Sequence, residues 1–186
     1  MIDTQELACF ISSFAADGDL SAHKSRELVL QLLEHTPAPY SRAQFLPGHI
    51  TCTGLVLHPA REAFVLVHHR RLDRWLLPGG HVEPDDAEIW DTARREVIEE
   101  TGSVLVPDRH PLLVGIDVHG IPPGRREPYH LHHDLIFGFR AASAEVMPTE
   151  EVRRVVWCGL DEWDRYELPI SIQLSARRMF SSVGTS

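Results

Sequence analysis

The 186-residue chain is short of basic charge: Lys and Arg total 18 against 27 Asp and Glu, giving a formal net charge of −9 at pH 7. Nucleic-acid backbones and anionic membranes are normally met by an excess of cations, so neither is expected as the main partner. Cysteine is scarce as well. Cys9, Cys52 and Cys158 are odd in number and far apart, which argues against a disulfide framework or a CxxC metal clip and fits a reducing cytoplasm. No apolar run is long enough to span a bilayer, and the stretch MIDTQELACFISSFAADGD has neither the basic start nor the unbroken apolar core of a signal peptide. Internal repeats, low-complexity tracts, a Ser/His/Asp nucleophile elbow, a Walker A loop and a GxGxxG turn are all missing. With 43% hydrophobic and 24% charged residues, the expectation is a soluble chain with one main core.

What is present falls into two parts. TQELACFISSFAADG places Leu7, Phe10, Ile11 and Phe14 on one helical face, and SAHKSRELVLQLLEH does the same with Leu28, Leu32 and Leu33, with Ser21 as the expected N-cap. The Pro-rich stretch HTPAPYSRAQFLPGH then breaks the period. Residues 1–40 read as a helical extension and linker that offers a partner or homodimer surface, and residues 41–186 as the main domain. Beyond the linker, ITCTGLVLH, AFVLVHHRR, RWLLPG, PLLVGIDVHGI, HHDLIFGFRAA and VRRVVWCGL read as strands. A helix is expected over residues 88–101, ended by Gly102 in a left-handed cap, and another through ISIQLSARRMFSS. A mixed sheet with helices packed on it follows.

The stretch PGGHVEPDDAEIWDTARREVIEETG concentrates acid. At 100° per residue Glu96, Glu99 and Glu100 share one sector of the helix, beside an apolar sector of Trp90, Ala93 and Val97. Arg95 precedes Glu99 by four residues, but no base follows Glu99 or Glu100 at that spacing. Like charges about 4 Å apart repel by about 4 kcal/mol at an effective dielectric near 20. Either the face is fully solvated, or a hard cation such as Mg²⁺ or Mn²⁺ compensates it.

These residues resemble the Nudix box: Gly, five residues, Glu, seven residues, then Arg-Glu-aliphatic-x-Glu-Glu-x-Gly. Arg95, Glu96, Val97, Glu99, Glu100 and Gly102 match its second half in full. In the first half Asp86 stands where the pattern has Glu, and the interval from Gly80 to Arg95 is one residue longer. The resemblance implies a Nudix-like α/β/α sandwich built on a mixed sheet, and a hydrolase that cleaves a phosphoanhydride in a nucleoside diphosphate linked to another moiety, such as ADP-ribose or a nucleotide sugar. It further implies that Mg²⁺ or Mn²⁺ is held by Glu99, Glu100 and the carbonyl of Gly79, with Glu96 as base or further ligand and Arg95 orienting the glutamates. Glu150 and Glu151 precede a strand where family members sometimes supply another acid. A nucleoside triphosphate pyrophosphohydrolase and a non-catalytic nucleotide-sensing module are the alternatives on the same scaffold.

Three further groups are candidates for holding a small nucleotide-type substrate. Arg70, Arg71 and Arg74 form a basic break that could attract an anion or pair with Asp85 and Asp86. Arg125 and Arg126, in GIPPGRREPY, suit a phosphate. In EPYHLHHDLIFGF, alternation puts His130, His132 and Asp134 on one strand face and His133 on the other. That face is read as substrate-contacting, through His132, with a His/Asp zinc site as the competing reading.

Overall fold

The computed structural model describes residues 2–125 and 127–183. Helix α1 (Thr4–Ser12) and helix α2 (Leu20–His35) precede strands β1 (Gly48–Leu57), β2 (Ala63–His69), β3 (Arg74–Leu76) and β4 (Gly79–His81). Helix α3 (Ile89–Thr101), strands β5 (Leu112–Ile121), β6 (His130–Arg140) and β7 (Val152–Gly159) and helix α4 (Ile170–Val183) complete the chain. The expected strands and helices are all found. β4 is not singled out as a strand by the sequence reading, because two of its three residues are glycines and carry no strand signal.

β1 changes partner along its length. Its first half pairs with β4, Thr51 opposite His81 and Thr53 opposite Gly79, while Leu57 at its far end pairs with Phe64 of β2. β2 splays off to join β3 and β7, and β1 runs parallel to β6, which is antiparallel to β5. The insertion of β4 into this fork sets the glycine pair against the middle of the sheet.

Alternation along the strands feeds two cores. Ile50, Cys52, Leu135 and Phe137 pack beneath α1, α2 and α3, whereas Leu55, Leu57, Val114 and Ile136 pack beneath α4. Helices therefore cover both faces of a mixed sheet, the expected sandwich. In α2 it is Val29, Leu32 and Leu33 that are buried, while Leu28 is 46% exposed; each buried side chain contributes about 1.5–3 kcal/mol. Asp19, not Ser21, caps this helix, its carboxylate accepting from the N–H groups of Ser21 and Ala22. The sequence reading places the cap two residues late because Leu20, 75% exposed, looks like part of the turn. Asp19 also accepts from Arg178 Nη2 at 2.9 Å, which ties α2 to α4. No helix among the described residues is long and apolar enough to cross a membrane.

Candidate active site

The site is assembled by β4 and α3. Ala93 and Val97 are fully buried under β1, so helical spacing carries Glu96 and Glu100, three residues beyond each, to the rim of that contact. Glu100 is 3% exposed; the Glu96 side chain is 13% exposed and that of Glu99 54%. The Gly79 N–H donates to Glu100 Oε2 at 3.1 Å. A Cβ on Gly79 would lie 2.7 Å from the Cys52 carbonyl oxygen, and one on Gly80 2.3 Å from Glu96 Oε1. At Gly79 the approach is to backbone and requires glycine, whereas at Gly80 a side chain would displace the end of Glu96. Gly102 ends α3 at φ 62°, as expected of a left-handed cap.

Arg95 organises the cluster. Its Nη1 donates to Glu96 Oε1 at 2.9 Å and to Glu99 Oε2 at 3.0 Å, and its Nη2 to the His81 carbonyl at 2.9 Å. The other side of the guanidinium is gripped by Asp86, which accepts from Nε and from Nη2 at 3.2 Å each. Asp86 is itself 7% exposed and accepts from the Glu83 N–H and from Thr92 Oγ1. Burial alone would raise its carboxyl, but the hydrogen bonds from Arg95, Glu83 and Thr92 outweigh that and hold it below the usual range. Asp86 thus anchors Arg95 from the place where the box pattern has Glu. The extra loop residue is absorbed before α3 begins at Ile89. Sequence reasoning offers Asp86 to Arg70, Arg71 and Arg74; the structure pairs it with Arg95 of the adjoining helix.

Glu100 is the most poorly compensated of the three box glutamates. Burial pushes its carboxyl up to about 8, offset in part by the Gly79 N–H and reinforced by Glu96, Glu151 and Glu99. Burial also raises Glu96, against the pull of Arg95. Three carboxylates lie along one edge of α3 with one guanidinium, which reaches Glu96 and Glu99 while Glu100 accepts from the Gly79 N–H. This oxygen-only, net-negative donor set fits a hard divalent cation. Glu151, exposed at the start of β7, adds to the negative field on Glu96 and Glu100. Glu150 is exposed beside it.

Arg70, Arg74 and Arg125 are exposed, and among the described residues none of their side chains forms an ion pair. Arg126 lies outside the described residues. His132 is on the sheet face that continues from β4: its ring centroid is 4.9 Å from His49, 5.3 Å from His81 and 5.2 Å from His130. Asp134, on the same face as expected, accepts from the hydroxyls of Thr51 and Thr53 at 2.9 Å each. His133 points to the other core and is 1% exposed. The sequence reading misses His49 and His81, since they sit alone in their own segments and only strand register brings them to His132.

A family model described as the NUDIX domain matches residues 48–180. Among solved structures, a NUDIX hydrolase from Nitrosomonas europaea is similar at 20% identity and a TM-score of 0.52, covering 72% of this chain and 88% of that one. The NUDIX domain of Shewanella oneidensis NrtR, solved with ADP ribose, is similar at 17% identity and a TM-score of 0.53, covering 81% and 97%. A UDP-X diphosphatase at 16% identity and a TM-score of 0.52 covers 96% of this chain and 93% of its own, so that match takes in most of the N-terminal helices. No curated protein matches the chain at a significant level.

Proposed function

The chain belongs to the Nudix family of hydrolases, and on that premise we propose that it cleaves the phosphoanhydride of a nucleoside diphosphate linked to another moiety, with Mg²⁺ or Mn²⁺ as cofactor. The observation that carries this reading is the placement of Glu96, Glu99 and Glu100 along one edge of α3, with Glu100 bonded to Gly79 and Arg95 clamped between Glu96, Glu99 and Asp86. A pure binding module gains nothing from keeping three carboxylates in mutual repulsion. The similarity to a UDP-X diphosphatase over nearly the whole chain supports the substituted diphosphate over a nucleoside triphosphate.

Glu96, Glu99, Glu100 and the Gly79 carbonyl would hold the cation, which supplies charge neutralisation of the diphosphate and a more acidic water. Glu96, whose carboxyl burial keeps more basic than usual, accepts the proton of the attacking water. Arg95 holds Glu96 and Glu99 in place while Asp86 fixes the guanidinium from behind. Arg70, Arg74, Arg125 and Arg126 take the substrate's phosphates and its second moiety. Residues 41–186 form the catalytic unit in this reading, and residues 1–40 cover one of its faces.

The test is release of phosphate-ended products from ADP-ribose, nucleotide sugars, dinucleotides and nucleoside triphosphates, with and without added Mg²⁺ or Mn²⁺. Turnover of a substituted diphosphate that stops with a chelator is expected. Full turnover in excess chelator, or release of pyrophosphate from triphosphates alone, would overturn it, and binding without turnover would leave the sensing module.

A further inference from the structure

His49, His81 and His132 come from three different strands, yet each can offer a ring nitrogen within 4.8 Å of the other two. Register explains this. His49 pairs directly with His132 across β1 and β6, and His81 enters from β4 opposite Thr51, two residues along β1 from His49. All three rings therefore rise from one face of the sheet. His49–His81 centroids are 5.0 Å apart and His49–His132 centroids 4.9 Å apart.

The tautomer of His49 is set from behind. Its Nδ1 lies 3.0 Å from the Gln44 carbonyl oxygen, an acceptor only, so Nδ1 carries the proton and Nε2 keeps its lone pair. His49 is 1% exposed, and this buried Nε2 has no hydrogen-bond partner. A buried acceptor without a partner costs about 1–3 kcal/mol. A ring oriented through Nδ1–H to a carbonyl, with Nε2 free, is the arrangement that prepares histidine for metal ligation. His130 repeats it, with Nδ1 2.9 Å from the Pro128 carbonyl oxygen and its ring 5.1 Å from that of His49.

We propose that His49, His81 and His132 form a binding site for a borderline divalent transition metal of the zinc class, separate from the glutamate edge. Imidazole nitrogens suit zinc, cobalt or nickel, whereas magnesium prefers carboxylate oxygens, so the two sites select different ions. Ligand nitrogens around tetrahedral zinc lie about 3.3 Å apart at Zn–N distances of about 2.0–2.1 Å. Closing to that separation falls to His81 and His132, which are half-buried where His49 is buried. Three protein ligands leave a fourth position open to water or to a ligand oxygen. The His81 carbonyl already binds Arg95, so β4 joins the two sites.

The test is titration of the untagged, metal-free full chain with Co²⁺ in excess Mg²⁺, read by the visible d–d bands of nitrogen-ligated cobalt. One Co²⁺ per chain, displaced by Zn²⁺, is expected, with affinity reduced at least tenfold in both His81→Gln and His132→Gln and unchanged in Glu99→Gln. Absence of the bands in the wild type, their persistence in both histidine variants, or their loss in Glu99→Gln would overturn the proposal. Should either histidine variant lose the wild-type melt, ring ¹⁵N shifts of the wild-type chain on adding Zn²⁺ decide instead. Movement of three histidine nitrogens upholds the site, and none refutes it.

Discussion

The glutamate edge and the histidine face share strand β4, yet their residues are gathered in different ways. Glu96, Glu99 and Glu100 lie within one turn or so of one helix, and Gly79 and Gly80 reach them through a single short loop. His49, His81 and His132 belong to strands far apart along the chain and meet only through β-sheet register. One site is built by local periodicity and the other by topology. The charge logic is opposite too: burial drives the Glu96 and Glu100 carboxyls up and the three imidazoles down, so each of these groups is pushed toward neutrality.

The largest expected effect separates the two most sharply. Glu99→Gln and Glu100→Gln keep side-chain shape, and the amide oxygen that the second change introduces can still accept the Gly79 N–H, so the fold survives. Turnover should nevertheless fall by about 10³-fold, because the charge stabilisation at the transferring phosphorus depends on anionic oxygens. Steady-state kinetics beside thermal melts check this. Wild-type turnover in both variants would reduce the edge to a solvated acidic face.

The same contrast explains what could be read in advance. The helix of residues 88–101 and its glutamates were legible because an amphipathic period and a fixed motif are properties of adjacent residues. So were most strands, from β-branched runs. His132 stands out in the sequence, but its two partners do not, since the parallel β1–β6 pairing is set by the crossover of the whole intervening chain. Asp86 is misassigned for a milder reason: its partner Arg95 is nine positions away across a loop with an extra residue. Within that loop the sequence pattern marks the position, while only the fold shows the grip.

Asp86→Asn tests that grip and ranks second in size. The amide keeps the bond from the Glu83 N–H but loses the charge that holds the guanidinium. Arg95 is then freer to swing toward the glutamates, and outer partners of this kind are worth about 10–100-fold in metal affinity or activity. The expected signature is a raised Mg²⁺ requirement with a rate largely recovered at saturating Mg²⁺. A rate unchanged at every Mg²⁺ concentration would make Asp86 a purely structural residue.

The smallest effect lies in stability, and its sign follows from Glu100. Its carboxyl stands near 4.5 in the unfolded chain and about 8 in the folded, metal-free one. Between those values the folded state holds a proton that the unfolded state has released. Stability is therefore greatest below about 4.5 and falls as pH rises toward about 8, as far as this group is concerned. Relaxation and water entry temper the cost to about 1 kcal/mol, or about 2–4 °C in the melt of a chain this size. Mg²⁺ binds the ionised form and should reverse the trend, so the Mg²⁺-induced rise in melting temperature grows from pH 5 to pH 8. Glu100→Gln removes the titrating group and should flatten both curves relative to the wild type. Parallel curves for the wild type and the variant, with equal Mg²⁺ responses at every pH, would mean that Glu100 is not the carboxylate through which the edge senses its cation. The histidine face would then be the stronger candidate for the metal-linked behaviour of the chain.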